Sequence, residues 1–167
     1  MKKKVQISKE VQLDAGHRVP KHQGQCSNPH GHRYRVILYA TGHIVEEAGS
    51  PDEGMLVDFG DLKKILTQKV HDPLDHGFIV YRRDEQMLSA LCINTPGQGE
   101  LADDVRGKNG WKVIIFPFIP TAENIARWVY EQCLPELESR YSDHELTIDK
   151  IEVWETPTSM ATYPVGE

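Results

Sequence analysis

The stretch Cys26-Ser27-Asn28-Pro29-His30-Gly31-His32-Arg33-Tyr34-Arg35-Val36-Ile37-Leu38 decides the fold. From His30 onward it alternates. His30, His32, Tyr34, Val36, Leu38 and Ala40 share one parity, and Arg33, Arg35, Ile37 and Tyr39 the other. Strand side chains alternate faces, so residues 30–42 read as a strand whose apolar face begins with two imidazoles. Upstream, Val5, Ile7, Val11, Leu13 and Ala15 occupy odd positions, and so does His17. Residues 4–17 therefore read as a strand, or a bulged pair of strands, ending on a histidine. The span 18–29 holds Pro20, Gly24, Ser27, Asn28 and Pro29 and reads as a loop. If the two strands pair antiparallel through that loop, His17 arrives beside His30 and His32. A register change of one residue would turn the set to the opposite face.

The bulk properties set the frame for this hairpin. A chain of 167 residues suits a single domain, 1–167, with a sizeable core. Its net charge of −6 argues against nonspecific nucleic-acid binding, which needs a basic footprint. It leaves room for a small anionic substrate, which needs only local positive charge. No apolar run of signal-peptide length follows Met1-Lys2-Lys3-Lys4, and none approaches the length of a membrane-spanning helix. The expectation is a cytoplasmic protein with neither a nucleic acid nor a membrane as partner. Cys26, Cys92 and Cys133 are scattered and make no disulfide framework. A reducing compartment also suits a free, reactive Cys26.

Outward from the hairpin, residues 43–57 read as a turn-rich connection. Asp58 is a plausible N-cap for a helix over about 59–70, with Phe59, Leu62, Ile65 and Leu66 at helical spacing and Pro73 as its stop. The segment Leu74-Asp75-His76-Gly77-Phe78 follows. Residues of about 82–113 include the least regular part of the chain, with Pro96, Gly97, Gly99, Gly107 and Gly110, and read as an inserted loop or short hairpin. Residues 112–118 read as a strand. Thr121 caps a helix over about 122–134, ending at Pro135, with Ile125, Trp128 and Val129 inward. A last strand covers about 147–155, with Ile151, Val153 and Glu155 on one face. The order predicts an α+β fold: an antiparallel β-sheet with two helices packed on one face. A sheet with one helical layer leaves a flank or an edge open, which oligomerisation commonly covers.

Several side chains carry possible chemistry. His17, His30 and His32 read as a three-nitrogen zinc site with an open fourth position, the pattern of a catalytic rather than a structural metal. The alternative is a His-Gly-His turn with two surface imidazoles. Zinc there would polarise hydroxyl or carbonyl oxygens of a substrate. His22 competes as a ligand but has no partner at strand spacing. Cys26 reads as a fourth ligand, as a thiolate base beside the metal, or as an incidental loop cysteine. Asp75-His76 reads as a carboxylate-oriented imidazole or, more simply, as a polar helix-exit turn. Glu155 continues an apolar face, so its carboxylate points toward a core and wants a partner. A ligand with adjacent N–H donors, such as a 2-amino-4-oxo heterocycle, would supply two hydrogen bonds. In the alternative the strand has ended by Glu155 and the side chain is in water. Glu123 suits a helix N-terminus and Thr121 its cap. Arg18, Lys21, Arg33 and Arg35 either attract a phosphorylated substrate or form a solvated face.

Together these pieces resemble the 6-pyruvoyltetrahydropterin synthase superfamily. The matching elements are Ala15-Gly16-His17-Arg18, Cys26-x3-His30-Gly31-His32, Val57-Asp58-Phe59, Leu74-Asp75-His76, Pro120-Thr121-Ala122-Glu123-Asn124 and Val153-Trp154-Glu155-Thr156. They stand in the family's order and span most of the chain apart from about 82–113. The resemblance implies the tunnelling fold. It implies Zn2+ on His17, His30 and His32, Cys26 as catalytic base, and Asp75 with His76 as a second acid/base pair. Glu155 would anchor a pterin ring, helped by Thr121, Ala122 and Glu123. It also implies a homohexamer, a dimer of trimers, with active sites between subunits.

Only three residues separate Cys26 from His30, which is similar to the 6-carboxytetrahydropterin synthase branch of that superfamily. The implied reaction is a zinc-dependent carbon–carbon lyase step. It converts 7,8-dihydroneopterin triphosphate to 6-carboxy-5,6,7,8-tetrahydropterin, acetaldehyde and triphosphate, for 7-deazaguanine and queuosine biosynthesis. Two rivals stand beside it: the sister lyase that forms the 6-pyruvoyl product, and a non-catalytic pterin- or zinc-binding relative with the 82–113 segment as a partner contact. An unrelated zinc hydrolase is disfavoured because no His-Glu-x-x-His motif is present.

Overall fold

The computed structural model describes residues 4–93, 104–106 (backbone only), 110–142 and 145–166. The alternating stretches form one long antiparallel pair, β1 (Lys4–His17) and β2 (His30–His43). Their register runs from Lys4 opposite His43 to His17 opposite His30. The faces divide as the alternation requires. Leu13, Ala15 and His17 are buried on β1, and Tyr34, Val36, Leu38 and Ala40 on β2.

The chain then runs through a helical segment: α1 (Phe59–Leu66), a π turn over Thr67–His71, and α2 (Asp72–Leu74). Asp58 caps α1, accepting from Gly60 N at 2.6 Å. The helical path continues past the expected end at 70. Pro73 falls in the first turn of α2, directly after the π turn, and does not stop the helical path there. β3 (Gly77–Tyr81), α3 (Glu85–Ala90), β4 (Asp104–Arg106) and β5 (Lys112–Phe116) follow. The long helix α4 (Ala122–Arg140) then leads to β6 (Thr147–Thr156) and β7 (Ser159–Tyr163). β7 falls beyond the last strand expected from sequence.

α4 does not end at Pro135 but runs on to Arg140. A proline inside a helix removes one backbone hydrogen bond and costs about 3 kcal/mol. Leu137 and Tyr141, buried beyond it, hold the last turn against the core.

The seven strands form one sheet in the order β4-β5-β3-β1-β2-β6-β7. The α+β class stands, but the sheet is mixed rather than antiparallel throughout. β3 pairs parallel with β1 and β5 parallel with β3, while the other four pairings are antiparallel. β2 and β3 flank β1, so the chain crosses over β1 between them, and the helical segment 59–74 forms part of that crossing.

The main core lies between the sheet and one helical layer. Leu62, Ile65, Leu66 and Val70 join Ile125, Val129, Cys133 and Leu137 over the apolar face of β1, β2 and β6. A second cluster lies on the opposite face. Ile79, Ile114 and Phe116 belong to the main core, whereas Val80, Val113 and Ile115 pack with Met87, Leu88 and Leu91. Because alternate strand residues point to opposite faces, α3 covers the far side of β3 and β5. The expected two helices on one face are present, and a third, short helix backs the sheet. The expected inserted segment thus begins with α3 and includes β4; residues 94–103 and 107–109 lie outside the described residues. Among the described residues, no helix is long and apolar enough to cross a membrane.

Candidate metal centre and the cavity beside it

The β1–β2 register delivers three imidazoles to one point. His17 stands opposite His30, and His32 stands opposite Ala15 one step along the same face. One ligand atom from each of the three histidines lies within 4.8 Å of the others. Two glycines make the approach possible. Gly16 and Gly31 face each other between the ligands. A Cβ on Gly31 would sit 3.0 Å from the Ala15 carbonyl oxygen, and one on Gly16 would sit 2.5 Å from the Phe78 ring.

The outer contacts fix which nitrogen faces the centre. His17 Nδ1 is 2.6 Å from the Pro120 carbonyl oxygen, and His30 Nδ1 is 2.8 Å from the Asn28 carbonyl oxygen. A carbonyl only accepts, so each Nδ1 carries the proton and each Nε2 presents a lone pair. Carbonyl partners of this kind orient imidazoles that bind metals. Nε2 of His17 and of His32 are buried without a hydrogen-bond partner. Burial pushes the pKa of both rings below the ordinary value, against the pull of the Glu155 carboxylate. Both rings are therefore neutral at pH 7.

Glu155 Oε1 lies 3.4 Å from His17 Nε2 and 3.6 Å from His32 Nε2. A carboxylate oxygen facing an imidazole lone pair is repulsive unless a cation sits between or beside them. The orphaned nitrogens, the inward lone pairs and the carboxylate fit a divalent cation, and three histidine nitrogens suit zinc. The Tyr34 hydroxyl is also buried without a partner, its ring packed edge-on against His17 and His32 at centroid distances of 5.9 and 5.6 Å.

Beside the histidines opens a cavity of about 250 Å³, lined among others by His17, Cys26, Thr121, Glu123, Glu155 and Met160. Ala122 and His22 also reach it. Cys26 sits exposed on a single 3-10 turn, Gln25–Ser27, and its carbonyl accepts from Val19 N at 2.8 Å. Thr121 caps α4, accepting from Asn124 N at 3.4 Å, so the helix N-terminus faces the same space. Met160 and Ala161 come from β7, beyond the last strand expected from sequence.

Asp75 and His76 are not brought to this cavity within one chain. They precede β3, whose Gly77 pairs with Ala15 on the side of β1 away from β2. His76 lines a separate hollow with Asp14, Gly31, His32 and Arg33. The two form a built pair there. Asp75 Oδ2 is 2.7 Å from His76 Nδ1, and its Oδ1 accepts from Asp14 N at 2.9 Å. His76 N donates to the Asp14 carbonyl at 2.7 Å, and His76 takes the left-handed conformation with φ of 55°. Lys112 Nζ donates to the carbonyls of Asp72 and Asp75 and fixes the turn from below. Burial alone would raise the Asp75 pKa, but the Asp14 N–H and the His76 ring outweigh it and hold the carboxyl below its ordinary value.

The arginines considered for phosphate are engaged elsewhere. Arg18 binds Asp84, Arg33 binds Asp14 and Arg35 binds Glu10, each through two nitrogens. Lys21 is exposed, in a left-handed conformation with φ of 65°.

Residues 6–165 match the family described as 6-pyruvoyl tetrahydropterin synthase. The chain is 32% identical over 157 residues to a 6-carboxy-5,6,7,8-tetrahydropterin synthase of Haemophilus influenzae, covering 94% of this chain and 96% of that one. It is 29% identical over 175 residues to the protein of the same description from Aquifex aeolicus, covering 96% and 98%. Among solved structures, an uncharacterized protein of Wolinella succinogenes superposes with a TM-score of 0.67 at 24% identity, over 95% of this chain and 97% of that chain. A variant of Plasmodium vivax 6-pyruvoyltetrahydropterin synthase superposes with a TM-score of 0.68 at 20% identity, over 96% of each chain. The match runs through the histidine hairpin, the cap of α4 and the Glu155 strand alike, and the chain belongs to the 6-pyruvoyl tetrahydropterin synthase family of enzymes.

Proposed function

We propose that this protein is a zinc-dependent 6-carboxy-5,6,7,8-tetrahydropterin synthase. It takes 7,8-dihydroneopterin triphosphate and water to 6-carboxytetrahydropterin, acetaldehyde and triphosphate, a step of queuosine biosynthesis. The observation that carries the reading is the cluster of His17, His30 and His32 beside a cavity that His17, Cys26 and Glu155 line at the N-terminus of α4. The relatives from Haemophilus influenzae and Aquifex aeolicus described by that activity support the choice of product.

Zinc bound by His17, His30 and His32 supplies Lewis-acid polarisation of side-chain oxygens on the substrate. The chain's own residues do the rest. The Glu155 carboxylate accepts hydrogen bonds from the 2-amino group and the adjacent ring N–H of the pterin. Thr121, Ala122 and Glu123 border the ring at the start of α4. Cys26, as thiolate, removes a carbon-bound proton from the substrate side chain. His76, oriented by Asp75, exchanges a second proton. The single chain holds Asp75 and His76 away from Cys26, so the complete centre requires a neighbouring copy. This supports a homohexamer of two trimers with shared sites. The substrate is a small molecule, and neither nucleic acid nor membrane takes part. The three free thiols fit a cytoplasmic location.

Turnover of 7,8-dihydroneopterin triphosphate by the zinc-loaded protein tests the reading. Cys26→Ala should abolish it with zinc content unchanged. Full turnover in that variant would remove Cys26 from the proton path.

A further inference from the structure

We infer that the ion pair Arg18–Asp84 positions the loop carrying Cys26, and that the start of the inserted segment, residues 84–91, is the fixed post to which that loop is tied. The inference rests on the catalytic reading of Cys26.

Arg18 directly follows the metal ligand His17, so its backbone is set by the end of β1. Its guanidinium forks onto both oxygens of Asp84, Nε to Oδ2 at 2.6 Å and Nη2 to Oδ1 at 2.7 Å. Nη2 also reaches Gln86 Oε1 at 3.0 Å. Nη1 donates to the Ser27 carbonyl at 3.4 Å, one residue past Cys26. The next residue, Val19, holds the Cys26 carbonyl through its N–H at 2.8 Å. Hydrogen bonds within the loop itself are local, such as Ser27 Oγ to Gly24 O and Asn28 Nδ2 to Gln25 O. Arg18 and Val19 thus carry the connection between the turn at Cys26 and the rest of the fold.

The other end of the tie is buried and held by several contacts. The Asp84 side chain is 3% exposed. It also caps α3, accepting from Met87 N at 3.2 Å. Asp84 N donates to the Tyr81 carbonyl at 2.8 Å, at the end of β3. Met87, Leu88 and Leu91 anchor the helix on Val80, Val113 and Ile115. A bidentate arginine–carboxylate pair fixes direction as well as distance, which a lysine or an amide does not reproduce. Arg18 is accordingly a positioning residue. It is not among the residues lining the cavity, and it acts through the turn that presents the thiol.

The test uses the full, zinc-loaded chain in a Cys92→Ser background, because Cys133 is buried and Cys92 is exposed. Alkylation of Cys26 by iodoacetamide is followed by mass spectrometry across pH, since thiolate character and access set its rate. The predicted result for Asp84→Asn is an alkylation rate changed by about threefold or more, with zinc content unchanged. Misplacement of a positioned group also predicts kcat lowered about tenfold or more with KM within about twofold. Asp84→Glu, which keeps the carboxylate, should restore most of both, and Arg18→Lys should not. An Asp84→Asn profile that matches the parent would overturn the proposal. So would loss of zinc and cooperative folding in step with the alkylation change, which would make the pair purely structural. The alkylation readout stands whether or not Cys26 is a base. Turnover of Cys26→Ala, measured alongside, decides that separately.

Discussion

His17 Nδ1 meets the Pro120 carbonyl oxygen at 2.6 Å, linking the last residue of β1 to the loop that caps α4. One contact therefore sets both the tautomer of a candidate metal ligand and the spacing between the histidine cluster and the helix N-terminus. If the three histidines bind zinc, His17→Ala should cost at least about 100-fold in zinc affinity, since one of three ligands is gone. A chelator competition titration would show it. Zinc binding at parental affinity would place the ligand set elsewhere.

Gly31→Ala tests the close approach of the strands. The new Cβ would press on the Ala15 carbonyl oxygen at 3.0 Å, in the middle of the ligand set. Overpacking of this kind costs about 1–3 kcal/mol. A lower thermal midpoint and weaker zinc binding should appear together. An unchanged zinc affinity would mean that the hairpin flexes there without moving the histidines.

Glu155→Gln keeps the shape and replaces one acceptor with a donor. Pterin affinity should fall by about tenfold or more, the loss of a charge-assisted hydrogen bond, while zinc remains bound. Isothermal titration with a non-reactive pterin reads it. Pterin binding at parental strength would remove Glu155 as the anchor.

The Asp75 carboxyl has a pKa lowered from its ordinary 3.8 by the Asp14 N–H and His76, against its burial. A depressed carboxyl pKa means that the unfolded chain takes up the proton first as pH falls. Its stabilising contribution is therefore complete above the ordinary value and is lost as pH drops through the folded one. The stability gap between the parent and Asp75→Asn should narrow from pH 5 toward pH 3, by chemical denaturation. A gap that stays constant over that window would show that the charge contributes nothing.

Much of this centre is legible in the sequence because it depends on a short-range rule. The two-residue period of 4–17 and 30–42 fixes which side chains share a face, and antiparallel pairing across one loop then brings His17 to His30. Asp58 and Thr121 announce their helices by local capping chemistry. What stays hidden depends on tertiary packing. Pro135 is a stop by local rules, yet burial of Leu137 and Tyr141 carries α4 past it. The parallel placement of β3 leaves no periodic mark, so nothing local separates Asp75 and His76 from Cys26. Asp84 reads as one charge in a charged stretch, and only the fold brings Arg18 against it.

The most direct measurement is product analysis after incubating the zinc-loaded protein with 7,8-dihydroneopterin triphosphate, by mass spectrometry of the pterin and an assay for acetaldehyde. The proposed function predicts a 6-carboxytetrahydropterin product with acetaldehyde released in equal amount. A 6-pyruvoyl product without acetaldehyde would contradict it in favour of the sister lyase, and bound but unconverted pterin would contradict it in favour of a binding protein.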